Sequence, residues 1–266
     1  MVNPDQAAAG AAHLRTEVGD DGILSVVIDR PEKRNALSRA VLSELQATFT
    51  AFAADDTLKA AVLRGAGDKS FAAGGDLRDL AELKTYEEAV TMAEDAKAAL
   101  DAVRRFPVPV IAALNGDAMG GGAELALACD LRVMAAGVRI GFVQGRLNIS
   151  TAWGGGIDLM QLVGPAVGLR LLASSRMVDG PRAMELGLAD RAAATGESLD
   201  DALAGLLDPI RRQVPQVMRA FKAVALAHRR GRPEAELREI ETEYFAHAWV
   251  HRDHWEAADK LLAGKG

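Results

Sequence analysis

Twice in this chain a short apolar run feeds into a cluster of glycines, and that repetition limits the fold more than any other feature. The first run is residues 59–63 (KAAVL), followed by Gly65, Gly67, Gly74 and Gly75. The second is residues 110–114, followed by NGDAMGGG at 115–122 and then AELALA at 123–128, whose composition favours helix. Upstream, ILSVVID at 23–29 is rich in β-branched residues and is stopped by Pro31, which predicts a strand and then a turn. Ser38 is placed to cap a helix in which Val41, Leu42, Leu45, Phe49 and Phe52 recur at helical spacing. Strand, helix, strand, with glycine loops at the turns into helices, is an α/β pattern.

Residues 86–105 predict a long helix with Ala89, Met92, Ala93, Ala96, Leu100 and Val103 on one face, ended by Pro107 and Pro109. Strands are expected at 131–135 and 140–143, and the glycines at 154–156 open a helix reaching Val163. Beyond Pro165 helical patterns dominate, at 169–173, 182–186 and 199–212. Val217, Phe221, Val224 and His228 share one helix face, and a last helix carries Leu237, Ile240, Tyr244, Phe245 and Ala248. The expected organisation is a disordered N-terminus at 1–12, an α/β core at 13–195 holding the site, and a helical region at 196–266.

With 266 residues, 49 % hydrophobic and 26 % charged, the chain has the material for a full core, which excludes disordered, collagen-like and coiled-coil classes. A net charge of −6 argues against a nucleic-acid surface, which needs concentrated Lys and Arg. Cys129 is the only cysteine, so no internal disulfide framework or Cys-rich zinc site is possible. The start MVNPDQAAAGAA has neither a basic opening nor an apolar stretch, and no long apolar run follows; a soluble, cytoplasmic protein without a membrane span is expected.

The loops FAAGGD (71–76) and GDAMGGGAE (116–124) can each expose backbone N–H groups at a helix N-terminus, where oxygen anions are held. Glycines of this kind also mark tight turns and close helix packing. A nucleotide site is disfavoured, because GAGDKS at 65–70 lacks the third glycine of the dinucleotide fingerprint and no phosphate-loop motif occurs. A GxSxG serine elbow is also absent. His247, His251 and His254 fall at i, i+4 and i+7 on the last helix, a metal-like spacing without a carboxylate–histidine signature. They read as polar surface or subunit contacts rather than a metal site. Arg229, Arg230 and Arg232 complement a helix dipole.

FAAGGDL and NGDAMGGGAELALACDLR, in this order and after PEKRNAL at 31–37, resemble the crotonase (enoyl-CoA hydratase/isomerase) superfamily. With WGGG at 153–156 and the helical last third, the resemblance spans nearly the whole chain. It implies a crotonase-like ββα spiral with a helical C-terminal region, acting on a coenzyme A thioester through an enolate. Matched position by position, the oxyanion donors are the N–H groups of Gly75 and Gly121, and Glu124 is one of the family's two catalytic glutamates. Flanked by Leu125 and Leu127, Glu124 is expected to carry a raised pKa. The second glutamate position holds Gln144, an amide that cannot act as general acid or base, which weakens hydration and isomerisation.

FVQGRLNISTAWGGG at 142–156, with Trp249, is more loosely similar to the ethylmalonyl-CoA decarboxylase branch, where loss of CO₂ makes the enolate without a base. There Gln144 would bond a substrate group and Arg146 would hold a carboxylate. The resemblance also implies that Arg34 meets coenzyme A phosphates. The main chain around Ala36, Leu37, Ala72, Asp76 and Leu77 would hold adenine and pantetheine, with Gly74 keeping the channel open. It implies an acyl-CoA substrate, no permanently bound cofactor, no metal, and a homotrimer or hexamer, while the charge balance leads us to expect no nucleic-acid partner. Three readings stand: a hydratase/isomerase-type enzyme using Glu124, an acyl-CoA decarboxylase, and a family member that binds acyl-CoA without turning it over.

Overall fold

Alternation along the β-branched runs decides the architecture, as a computed structural model of the chain, which describes residues 12–264, makes visible. Residues 1–11, most of the stretch expected to be disordered, lie outside that range. The chain opens with β1 (Leu14–Val18) and β2 (Ile23–Ile28), then α1 (Arg39–Phe52), β3 (Ala60–Gly65) and β4 (Ser70–Ala72). Next come α2 (Leu77–Leu80), α3 (Tyr86–Arg104), β5 (Val110–Leu114), β6 (Asp117–Met119), α4 (Gly121–Ala128), β7 (Leu131–Met134) and β8 (Arg139–Gly141). Then follow α5 (Gly155–Val163), α6 (Pro165–Ser174), β9 (Val178–Asp179), α7 (Gly180–Glu185) and β10 (Arg191–Ala192). Four helices finish the chain: α8 (Leu199–Arg211), α9 (Pro215–Arg229), α10 (Glu234–Trp249) and α11 (Arg252–Ala263).

Successive strand pairs β3/β4, β5/β6 and β7/β8 each give one strand to a large sheet, ordered β1-β2-β3-β5-β7-β10, and one to a small sheet, ordered β4-β6-β8-β9. That is the ββα spiral. In the large sheet every pairing is parallel except β1 with β2, so its strands need cover on both faces. Leu24, Val26, Ile28, Leu63 and Leu114 pack with Val41, Leu45 and Phe49 of α1 and Leu100 and Val103 of α3. Ile23, Ala60, Val62, Ile111, Ala113 and Val133 pack on the other side with Ala202, Leu203 and Leu207 of α8. The Ser38 hydroxyl accepts from the Val41 amide and starts α1, and Thr85 with Glu88 forms a capping box on α3.

Four sequence expectations change. The segments read wholly as glycine loops contain the strands β4 and β6, three residues each, too short for any periodicity to show. β1, not foreseen, buries only Leu14. On α9 the face with Phe221, 64 % exposed, points outward, because the buried stripe runs through Met218, Lys222 and Ala227 and Lys222 pairs with Asp130. The final helix is two helices: α10 ends at Trp249 and the His251 side chain caps α11, so the three histidines do not share one helix face. The His254 ring instead stacks on Trp249, centroids 4.6 Å apart.

Candidate active site

β4 and β6 are parallel neighbours, so the glycine segments that leave their C-terminal ends emerge side by side. A Cβ placed on Gly74 would stand 3.5 Å from the Gly121 nitrogen. Gly120, at φ +54 and ψ −117, makes the turn from β6 into α4 in a conformation that residues with a Cβ avoid. Gly121 is therefore the first residue of α4, where N–H groups have no intrahelical acceptor. Among the described residues, neither the Gly75 nor the Gly121 N–H donates to a backbone carbonyl. Two amide donors thus come from adjacent loops, one of them at the positive end of a helix.

Against both loops stands the indole of Trp153, 6 % exposed. Its Cη2 lies 2.7 Å from the position a Cβ would take on Gly121 and 3.4 Å from that on Gly75. Glycine at 121 is required by this approach, since Cζ3 of the ring would be 2.2 Å from an added Cβ. Trp153 is held by main chain as well: its N–H donates to Glu124 Oε2 (2.9 Å) and its carbonyl accepts from Arg104 Nη2 (2.9 Å). Arg104 in turn bonds Asp158, which Arg229 also pairs. Arg229 further donates to the carbonyls of Leu127 and Ala128 at the end of α4, a tighter role than the dipole complement expected of it.

Glu124, 2 % exposed, projects from the first turn of α4. Its Oε2 accepts from the amides of Trp153 and Gly155, and its Oε1 from Gln144 Nε2, each at 2.9 Å. Burial pushes its carboxyl above the ordinary carboxylate range, and these N–H donors offset only part of that rise. Gln144 is itself 9 % exposed, with its side-chain carbon Cδ 3.9 Å from a Cβ placed on Gly120. Its Nε2 is committed to Glu124, which leaves Oε1 as a buried acceptor with no partner among the described residues. Gly75 and Gly121 therefore meet at the Trp153 ring, Glu124 joins them through the Trp153 main-chain N–H, and Gln144 joins through Glu124.

The segments matched to coenzyme A binding also meet. Leu37 N–H donates to Gly74 O, Asp76 N–H to Leu37 O and Ala73 N–H to Arg34 O, so residues 34–37 run beside 73–76. Arg34 is exposed, in the left-handed conformation after the turn Pro31–Lys33. Leu77 is 59 % exposed, while the side chains of Leu37 and Ala72 are fully buried and offer main chain only. The Asp76 carboxylate caps α2 and pairs with Arg30, whose Nη1 also occupies the Ala36 carbonyl, so these two groups already have protein partners. Arg146 lies apart: its guanidinium donates to Ser175 O at 2.6 Å, which ties it to the end of α6 rather than to the glycine amides.

Trp153, Arg104, Asp158 and Arg30 escaped the sequence reading as site residues. Trp153 and Glu124 are 29 residues apart and joined through a backbone N–H, a link that no side-chain pattern records. WGGG was the one available signal, a large ring beside glycines.

Residues 19–261 match the family described as Enoyl-CoA hydratase/isomerase. The mitochondrial methylglutaconyl-CoA hydratase of Rattus norvegicus is 33 % identical over 219 residues, 82 % of this chain and 69 % of that protein. The ethylmalonyl-CoA decarboxylase of Xenopus laevis is 32 % identical over 232 residues, 86 % of this chain and 77 % of that one. The crystal structure of an enoyl-CoA hydratase from Bacillus anthracis superposes with a TM-score of 0.87 at 26 % identity, covering 95 % of this chain and 97 % of that one.

Proposed function

The chain belongs to the enoyl-CoA hydratase/isomerase family, and from that premise we propose that it is an acyl-CoA lyase that adds water to an enoyl thioester with a carboxylate–carboxamide pair. The observation that carries this reading is the free Oε1 of Gln144 beside Glu124. A carboxylate oxygen bonded once retains a second lone pair, so Glu124 Oε1 and Gln144 Oε1 together offer acceptors for both hydrogens of one water. The thioester oxygen rests on the amides of Gly75 and Gly121. Water oxygen bonds to the β-carbon, the double-bond electrons move onto the thioester oxygen, and Glu124 takes the released proton. The enolate then collapses and its α-carbon recovers that proton from Glu124, which returns to carboxylate. Gln144 positions the water and transfers nothing.

Coenzyme A lies along residues 34–37 and 72–77, with Arg34 toward its phosphates. The active assembly is a homotrimer, or a hexamer of paired trimers, built through the helical region at 196–266.

Crotonyl-CoA is the test substrate. Wild-type protein removes its thioester absorbance, and Glu124→Gln slows that loss by about 10²-fold or more, the scale of a lost acid–base group. Crotonyl-CoA that binds and stays intact would overturn the hydratase reading, and a protein that also releases no CO₂ from ethylmalonyl-CoA would be a binding protein only.

Decarboxylation is the second reading, favoured by the three N–H donors already occupying Glu124, since loss of CO₂ needs no base. Arg146, tied to Ser175, is not available to hold the departing carboxylate. Release of CO₂ from ethylmalonyl-CoA, insensitive to Glu124→Gln, would select it.

A further inference from the structure

We propose that Trp153 sets the length of the acyl group this site accepts, an inference that rests on acyl-CoA binding at Gly75 and Gly121 as read above. The ring edge touches both loops at once, 3.4 Å from the Cβ position of Gly75 and 2.2–2.9 Å from that of Gly121 across Cζ3, Cη2 and Cε3. Any carbonyl held by both amides has the indole as its immediate neighbour. The acyl carbons beyond that carbonyl must run along the ring or be blocked by it.

The indole is also buried, and the main chain that carries it is fixed. The main-chain N–H and carbonyl of Trp153 are bonded to Glu124 and Arg104, and the next residue, Gly154, sits at φ +93 with Arg104 Nη2 only 2.7 Å from where a Cβ would be. Arg104 is fixed by Asp101 and Asp158, and Asp158 by Arg229. A bulky planar side chain on so rigid a mount acts as an end wall, and its removal opens a volume that only a longer chain can fill. The favoured substrates are therefore short acyl groups.

The experiment titrates full-length wild type, Trp153→Phe and Trp153→Ala with butanoyl-, hexanoyl-, octanoyl- and decanoyl-CoA by calorimetry, with crotonyl-CoA turnover measured alongside. Each further buried methylene is worth about fourfold in affinity where there is room for it. Wild type is expected to gain nothing beyond the short chains. Trp153→Ala should raise the octanoyl-to-butanoyl affinity ratio by about tenfold or more, with Trp153→Phe between. Both variants keep the main-chain N–H that Glu124 needs, so circular dichroism should show the wild-type fold, while melting should fall for Trp153→Ala, which empties a buried site, and less for Trp153→Phe. Equal chain-length ratios in all three proteins would overturn the proposal. So would a wild type that binds none of the thioesters while Trp153→Ala binds all of them, because the ring would then be a plug. Binding is read without turnover, so graded binding with no hydration removes the hydratase reading alone, whereas hydration with unchanged ratios removes the role of Trp153 alone.

Discussion

At Glu124, N–H donors that stabilise a carboxylate oppose a burial that favours the neutral acid, and burial prevails. If this group is the base, kcat/KM for hydration falls on the acid side with a midpoint above the ordinary glutamate value, and a pH–rate profile of Glu124→Gln lacks that limb. Stability moves with it. A folded-state pKa raised above the unfolded one gives a contribution that is complete below the unfolded pKa and is lost as pH rises through the folded value. Melting temperatures of wild type and Glu124→Gln across that window should therefore converge on the acid side and separate above it, the variant being flat. Gln at 124 also folds more readily than Ala. Its single carbonyl oxygen still accepts both amides, and its NH₂ meets Gln144, whose unpartnered Oε1 turns to receive it. Glu124→Ala strands the amides of Trp153 and Gly155 in the interior, at about 1–3 kcal/mol each, so denaturant unfolding should rank it well below Glu124→Gln.

Among elements, α9 is joined to the body by charge where apolar spacing would suggest grease. Lys222, 3 % exposed, pairs with Asp130 at the end of α4, and burial lowers its pKa against that partner. Lys222→Met leaves the aspartate without its cation and should cost about 3 kcal/mol, near the low end for a buried pair because Asp130 retains some water. Lys222→Met with Asp130→Asn should recover most of the loss, as paired thermal melts will show. The same contrast explains what could be read beforehand. β2, β3, β5, α1 and α4 were legible because β-branched runs, a Ser cap and helical spacing are local signals. The strands β4 and β6 were not, since three residues flanked by glycine carry no period. The glycine pair, Glu124 and Gln144 were legible only through the family likeness of their flanking motifs. Trp153 was not, because its contacts arise from loops brought together by β4–β6 pairing.

For the whole molecule, the last two helices raise the question of what they meet. α10 and α11 bury no residue among the described ones, and Phe245, Val250, Leu261 and Leu262 are 59–74 % exposed. Such a surface suits burial between copies of the chain. Sedimentation should find trimers or hexamers of the 28.1 kDa chain, and Leu261→Glu with Leu262→Glu should shift the distribution toward monomer with the spectrum of the α/β body unchanged. No helix among the described residues is long and apolar enough to cross a membrane.

Successive turns of the spiral deliver the two glycine N–H groups to the site, and both belong to the peptide backbone. Among the codon changes only one to proline deletes such a donor, and that change also fixes φ. An alanine survey of this protein would register bulk at positions 75 and 121 while leaving the donors themselves unscored, and weakening one alone would require an ester in place of a single peptide link.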